Sequence, residues 1–257
     1  MGWPRSAFIS ALILTACIPA QAQDECPALV SAVLDATGAS GLIRTLPGNI
    51  RDAVTEQMRL WANHAEGARV IQAVNSAFGP SVSDEFRAEF ASGCNVANMH
   101  WVIANMSSPL AVRMRSLEEL AKSNRMRPLM DGFVDELTRQ QPPAARLKLL
   151  QRMDNAVGAM PMMKDTFRAV IQGLVGGSGE VPAAQPTLER IHNMVLVQWL
   201  FAYRDCSDEE LEQYVRILEA PAMKEFHEKY RLTFVGIMTT HAREMGYQLR
   251  AAHATPR

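Results

Sequence analysis

The stretch Ser207–Ile237, SDEELEQYVRILEAPAMKEFHEKYRLTFVGI, decides the fold. Leu211, Tyr214, Val215 and Leu218 recur at i, i+3, i+4 and i+7, which puts four apolar side chains on one face of a helix. Ser207 and Glu210 form a capping box that satisfies orphan amide donors of the first turn, and Asp208 and Glu209 add negative charge at the positive end of the helix dipole. The helix stops at Ala220. Pro221 has no amide hydrogen to lose and suits the first turn of a second helix, whose buried face runs through Phe226, Tyr230, Phe234 and Ile237.

The same construction occurs earlier in the chain. From Cys94 to Cys206 and from Pro109 to Pro221 the offset is the same 112 residues, and Met99, Val102, Ile103 and Met106 fall on Leu211, Tyr214, Val215 and Leu218. Upstream, Val33 to Gly38 is similar to Arg152 to Gly158 at an offset of about 120, the difference being taken up in a loop. Period-two alternation and hairpin turns are nearly absent. These features predict an all-α fold made of two degenerate copies of a roughly five-helix unit, packed as one helical domain or a close pair. Copy one covers 28–127 and copy two 144–248, with a connector at 128–143, where Gln140-Gln141-Pro142-Pro143 marks the join, and a flexible tail at 249–257.

The N-terminus reads as an export signal. Arg5 precedes an apolar run from Ala7 to Ile18, too short for the roughly 20 residues of a permanent membrane helix. Ala20-Gln21-Ala22 offers an ordinary cleavage site that ends a 1–22 signal peptide. Leu14-Thr15-Ala16-Cys17 resembles a lipobox, which would instead remove 1–16 and lipidate Cys17. The expected location is therefore the periplasm or the exterior, with membrane attachment only through that lipid. The strongest later apolar run, Val195 to Tyr203, is about half the length of a span.

Three cysteines survive either cleavage: Cys26, Cys94 and Cys206. An oxidising compartment permits one disulfide among them. Cys94 with Cys206 requires both equivalent turns to meet at a pseudo-twofold axis, and Cys26 with Cys94 is the rival.

Without the signal the 26 basic residues fall to 25 against 27 acidic ones, a net charge near −2. Nucleic acid is an unsuitable partner for that balance: the best basic cluster, Arg113, Arg115, Lys122, Arg125 and Arg127, is interrupted by Glu118 and Glu119 and reads as a solvated helix face.

The string Glu210 to Phe226, with its acidic start, aromatic residue and Ala-Pro-Ala turn, resembles the signature of a bacterial exported family known only as domain of unknown function 2059. The second half carries the resemblance better than the first. It departs at Ala222, where the family often has glycine, and at Ile217-Leu218, where a Phe-Tyr pair is usual. The resemblance implies export and an all-helical fold and brings no activity with it.

Chemistry is sparsely signalled. No Gly-x-Ser-x-Gly elbow, His-Glu-x-x-His or Cys-x-x-Cys is present, and Gly176-Gly177-Ser178-Gly179 lacks the strand and Lys-Ser or Lys-Thr of a phosphate loop. Of the histidines, His227 beside Glu228 reads as a solvated face and His100 beside Trp101 as a surface or interface residue. Met160, Met162 and Met163 are the only metal candidates, as soft ligands for Cu(I). Scattered methionines such as Met153, Met194, Met223 and Met238 suit an irregular helical core. The sequence therefore predicts no catalytic residue and no cofactor. It favours a non-catalytic envelope module binding a protein, peptide or lipid between helices, with a hydrolase-type enzyme and a copper binder as alternatives.

Overall fold

The computed structural model describes residues 20–59, 64–175 and 185–254. Residues 1–19 of the export segment, Cys17 among them, and the glycine loop 176–179 lie outside the described residues. The fold is all-α, with no strand among the described residues. In chain order the helices are α1 (Ala20–Thr37), α2 (Ala39–Arg59), α3 (His64–Ala77), α4 (Val82–Ala91), α5 (Val96–Met106) and α6 (Pro109–Lys122). After a 3-10 turn at Asn124–Met126 come α7 (Arg127–Arg139), α8 (Ala144–Val157), α9 (Ala159–Val175), α10 (Gln185–Ala202), α11 (Asp208–Leu218) and α12 (Pro221–Ala254).

The boundaries have local causes. Ser207 Oγ accepts from the Glu210 amide at 3.1 Å while the Glu210 carboxylate accepts from the Ser207 amide at 3.0 Å, so the capping box forms as written. At the corresponding place in the first half Asn95 caps α5 through the Asn98 amide at 3.2 Å. Both α5 and α11 are 11 residues long, and each gives way to a helix whose first turn holds a proline. α1 and α8 each end at a glycine in the left-handed region, Gly38 at φ 78° and Gly158 at φ 67°, where a Cβ would be strained.

Two stretches depart from expectation. The connector is largely helical: α7 starts on Pro128 in its first turn and buries no residue fully, but lays Phe133 against Phe201 with ring centroids 5.5 Å apart. The tail expected beyond Gln248 is helical through Ala254 as the end of α12.

One hydrophobic core joins the two halves. Val33 and Leu34 of α1, Phe86 and Phe90 of α4, Leu150 and Met153 of α8, and Leu211 and Val215 of α11 are almost wholly buried in it. The last helix of each half reaches across. α12 packs on α9 of its own half and also on α3, α4 and α5, while α6 packs on α10 and α11. Phe90 meets Phe226 edge-on and Phe86 meets Tyr230, with centroids 5.7 and 5.3 Å apart. Lys229 Nζ donates to the Ser92 carbonyl at 2.6 Å across the same seam. α9 and α12 touch at backbone distance: a Cβ on Gly173 would lie 2.6 Å from that of Ala242.

The disulfide is Cys26–Cys94, tying α1 to the turn before α5 with Cα atoms 6.2 Å apart. Cys206 is free and buried, its Sγ 3.7 Å from the Met114 sulfur. The Cys94–Cys206 alternative is thus not the pair formed. α1 lies along α5 and α4, which brings Cys26 to Cys94.

Among the described residues no single helix is long and apolar enough to cross a membrane. The bent pair Glu25–Thr37 and Ala39–Asp52 passes by length and composition, but turns through 83°.

Candidate functional site

α6 carries its apolar face at Ala111, Met114 and Ala121, all buried. Glu118 falls on that stripe, one turn after Met114, so the helix that packs the core also carries a carboxyl inward. There the Tyr203 hydroxyl donates to Glu118 Oε1, and Tyr214 engages the same carboxyl. Burial holds the Glu118 carboxyl above the usual carboxylate range against the opposing pull of the Tyr203 hydrogen bond and of Lys122. Both phenols are pushed well above the ordinary tyrosine value, chiefly by burial and secondarily by the Glu118 charge.

Glu118 and Tyr214 line a partly open cavity of about 350 Å³ formed by α6, α8, α10, α11 and α12, with single residues from α1 and α5. Met106, Met153, Val195, Trp199, Leu218 and Met223 give it a largely apolar wall. Two polar groups in that wall stand out. Arg115 Nη1 and His227 Nε2 are buried with no hydrogen-bond partner among the described residues. Burial alone lowers the His227 pKa to about 4, so the ring is neutral at pH 7. Leaving such groups unpaired costs about 1–3 kcal/mol each, more for a charged donor.

These two residues are related by the sequence offset found above: Arg115 and His227 are 112 residues apart, as are Met106 and Leu218. Thr37 and Val157, 120 residues apart and each just before its left-handed glycine, line the same cavity. Pairs of residues separated by these offsets thus line one space.

A second cavity of about 320 Å³, beneath α7, contains Arg146 and Cys206. Its charged group is already committed: Arg146 pairs with Asp208 and donates to the Cys206 carbonyl at 2.9 Å and to the Tyr203 carbonyl. It is a clamp on the α10–α11 turn.

The other sequence candidates are dispersed. Met160, Met162 and Met163 lie in the first turn of α9, half-buried, with Met162 packed on the core. Met160 and Met163, at i and i+3, share a helix face, from which Met162, two residues after Met160, is turned away. No group of three or more His, Cys, Asp or Glu side chains able to hold a metal ion occurs among the described residues. His100 is exposed with its Nε2 3.2 Å from Glu25, and His192 lies 3.0 Å from Asp154. Of the basic cluster, Arg113 pairs with Glu210 and Lys122 with Glu119, but Arg115 enters the cavity. Reading His227 and that whole cluster as solvated is corrected here. The period carried the signal: Met223, His227, Tyr230 and Phe234 follow at i, i+4, i+7 and i+11, as Ala111, Arg115 and Glu118 do on α6.

No family model, curated protein or solved structure matches this chain.

Proposed function

We propose that this chain is an exported bacterial envelope protein that binds a small molecule without transforming it, in a cavity built where two duplicated helical units meet. The observation that carries the reading is the pair of unpartnered polar groups, Arg115 Nη1 and His227 Nε2, on residues that line a largely apolar space of about 350 Å³. A ligand-sized, mostly apolar pocket with a few convergent polar groups is the usual form of a small-molecule site.

Duplication is supported by the equal lengths of α5 and α11, the two proline starts and the two left-handed glycines. It is supported further by the reciprocal reach of α6 and α12 into the opposite half. The Cys26–Cys94 pairing supports an oxidising compartment, in keeping with the signal segment and its two cleavage sites, before Cys17 or after Ala22. Partners in this reading are envelope small molecules or lipids.

A hydrolase-type enzyme is the second reading, favoured by Glu118, whose carboxyl pKa burial raises, and a neutral His227 lining one cavity. Among the described lining residues there is no serine or cysteine to serve as nucleophile, and the Thr37 hydroxyl is spent on the Val33 carbonyl at 2.8 Å. Binding therefore ranks first.

The test is a thermal-shift screen of small envelope metabolites and lipids against the mature protein, with Val195→Trp, which fills the cavity, alongside. Compounds that stabilise the wild type and not the variant support the reading. Equal shifts in both, or turnover of a stabilising compound, count against it.

A further inference from the structure

We propose that the cavity takes an organic carboxylate, its acid head held between Arg115 Nη1 and His227 Nε2 and its apolar body laid along Met153, Trp199 and Met223. This rests on the ligand-binding reading above and names the chemical class.

The argument runs from the donor inventory. A guanidinium has only donors, and its charge does not titrate away. Arg115 Nη1 therefore needs an acceptor, and none of the described residues supplies one. The cavity's own carboxyl is engaged elsewhere: Glu118 is held by Tyr203 and Tyr214. His227 Nε2 carries the other open valence and, in its Nε2–H tautomer, donates. Two open donors match the two oxygens of one carboxylate, and a charge-assisted bond to arginine is the strong kind.

The remaining charge agrees. Among the described lining residues the only other cation is Lys122, already 3.0 Å from Glu119. A phosphate dianion would bring more oxygens than the open donors can satisfy and would set a second negative charge near Glu118. An ammonium would meet Arg115. Met106, Val157 and Leu218 beside the three residues named form an apolar stretch of the wall on which a hydrocarbon tail fits, and the Gln198 amide is the polar side chain left for any group on that tail.

Calorimetric titration of the mature protein with decanoate, decanol and decyl phosphate, repeated on Arg115→Gln and Val195→Trp, tests this. Decanoate is expected to bind the wild type at least about tenfold more tightly than decanol. Arg115→Gln should lose about tenfold for decanoate and change decanol by less than about twofold. If circular dichroism shows that Arg115→Gln does not fold, His227→Leu carries the same expectation. Decanol binding as tightly as decanoate, or decyl phosphate binding more tightly, overturns the carboxylate assignment while leaving cavity binding standing. Failure of all three to bind the wild type, or binding undiminished in Val195→Trp, overturns the cavity reading with it.

Discussion

Replacing Cys94 by serine opens a loop spanning 68 residues between Cys26 and Cys94. In the chain-entropy description, closing a loop of that length removes about 4 kcal/mol of freedom from the unfolded state. The native state keeps its own reasons to hold α1 in place, because Leu29, Val30, Val33 and Leu34 are buried against the core. Cys94→Ser is therefore expected to fold, with its stability lowered by about 2–4 kcal/mol. At about 2–3 kcal/mol per molar urea, the midpoint should fall by about 1–2 M. The assay is urea denaturation followed by far-ultraviolet circular dichroism on oxidised protein, reduced protein and Cys94→Ser. Reduced protein and variant should coincide, and Cys206→Ser should leave the disulfide intact. Coincidence of the oxidised and reduced midpoints, or a non-reduced digest with Cys26 and Cys94 unlinked, would refute the reasoning.

Further outcomes follow from the cavity and the helix seam. His227 has a folded pKa of about 4 against an ordinary 6.5, so acid favours the unfolded state. Its neutral form leaves stability unaffected above pH 6.5, and up to about 3 kcal/mol is lost as pH falls from 6.5 to 4. His227→Phe should flatten that part of a stability–pH curve, and an unchanged slope would count against the burial. Glu118 has the opposite sign: its carboxyl pKa is raised, so its contribution is present in acid and lost as pH climbs above the usual carboxylate value. Glu118→Gln, which keeps an acceptor for Tyr203, should stabilise the protein at pH 7 and not at pH 4, as read by thermal unfolding at both values. Gly173→Ala sets a helix-propensity gain of about 1 kcal/mol against a Cβ 2.6 Å from that of Ala242. The clash is expected to win by about 1–3 kcal/mol, and Ala242→Gly should restore much of the loss in a double-mutant cycle.

The helices were legible where local chemistry is self-contained. Ser207 and Glu210 cap one another within a single turn, and Pro221 can only begin a helix there, so the start of α11 and of α12 needs nothing from the rest of the chain. α7 was obscured because Pro128 and Gly132 interrupt its pattern and it buries none of its residues fully. The disulfide was beyond reach for another reason. A shared sequence offset carries no distance, and pairing waited on α1 lying beside α5. For the cavity, charge misled: Arg115, Glu118 and His227 each sit among charged neighbours, which reads as solvent, yet each falls in register with an apolar stripe. Their helical phase was visible in the sequence, but which helices would close over them was not.

The claim that a small molecule occupies the space between Arg115 and His227 is met most directly by native mass spectrometry of the protein recovered from its own cells, wild type beside Val195→Trp. A discrete adduct of small-molecule mass on the wild type, absent from the cavity-filled variant, is the result expected. A bare wild-type mass, or the same adduct on both proteins, would contradict it.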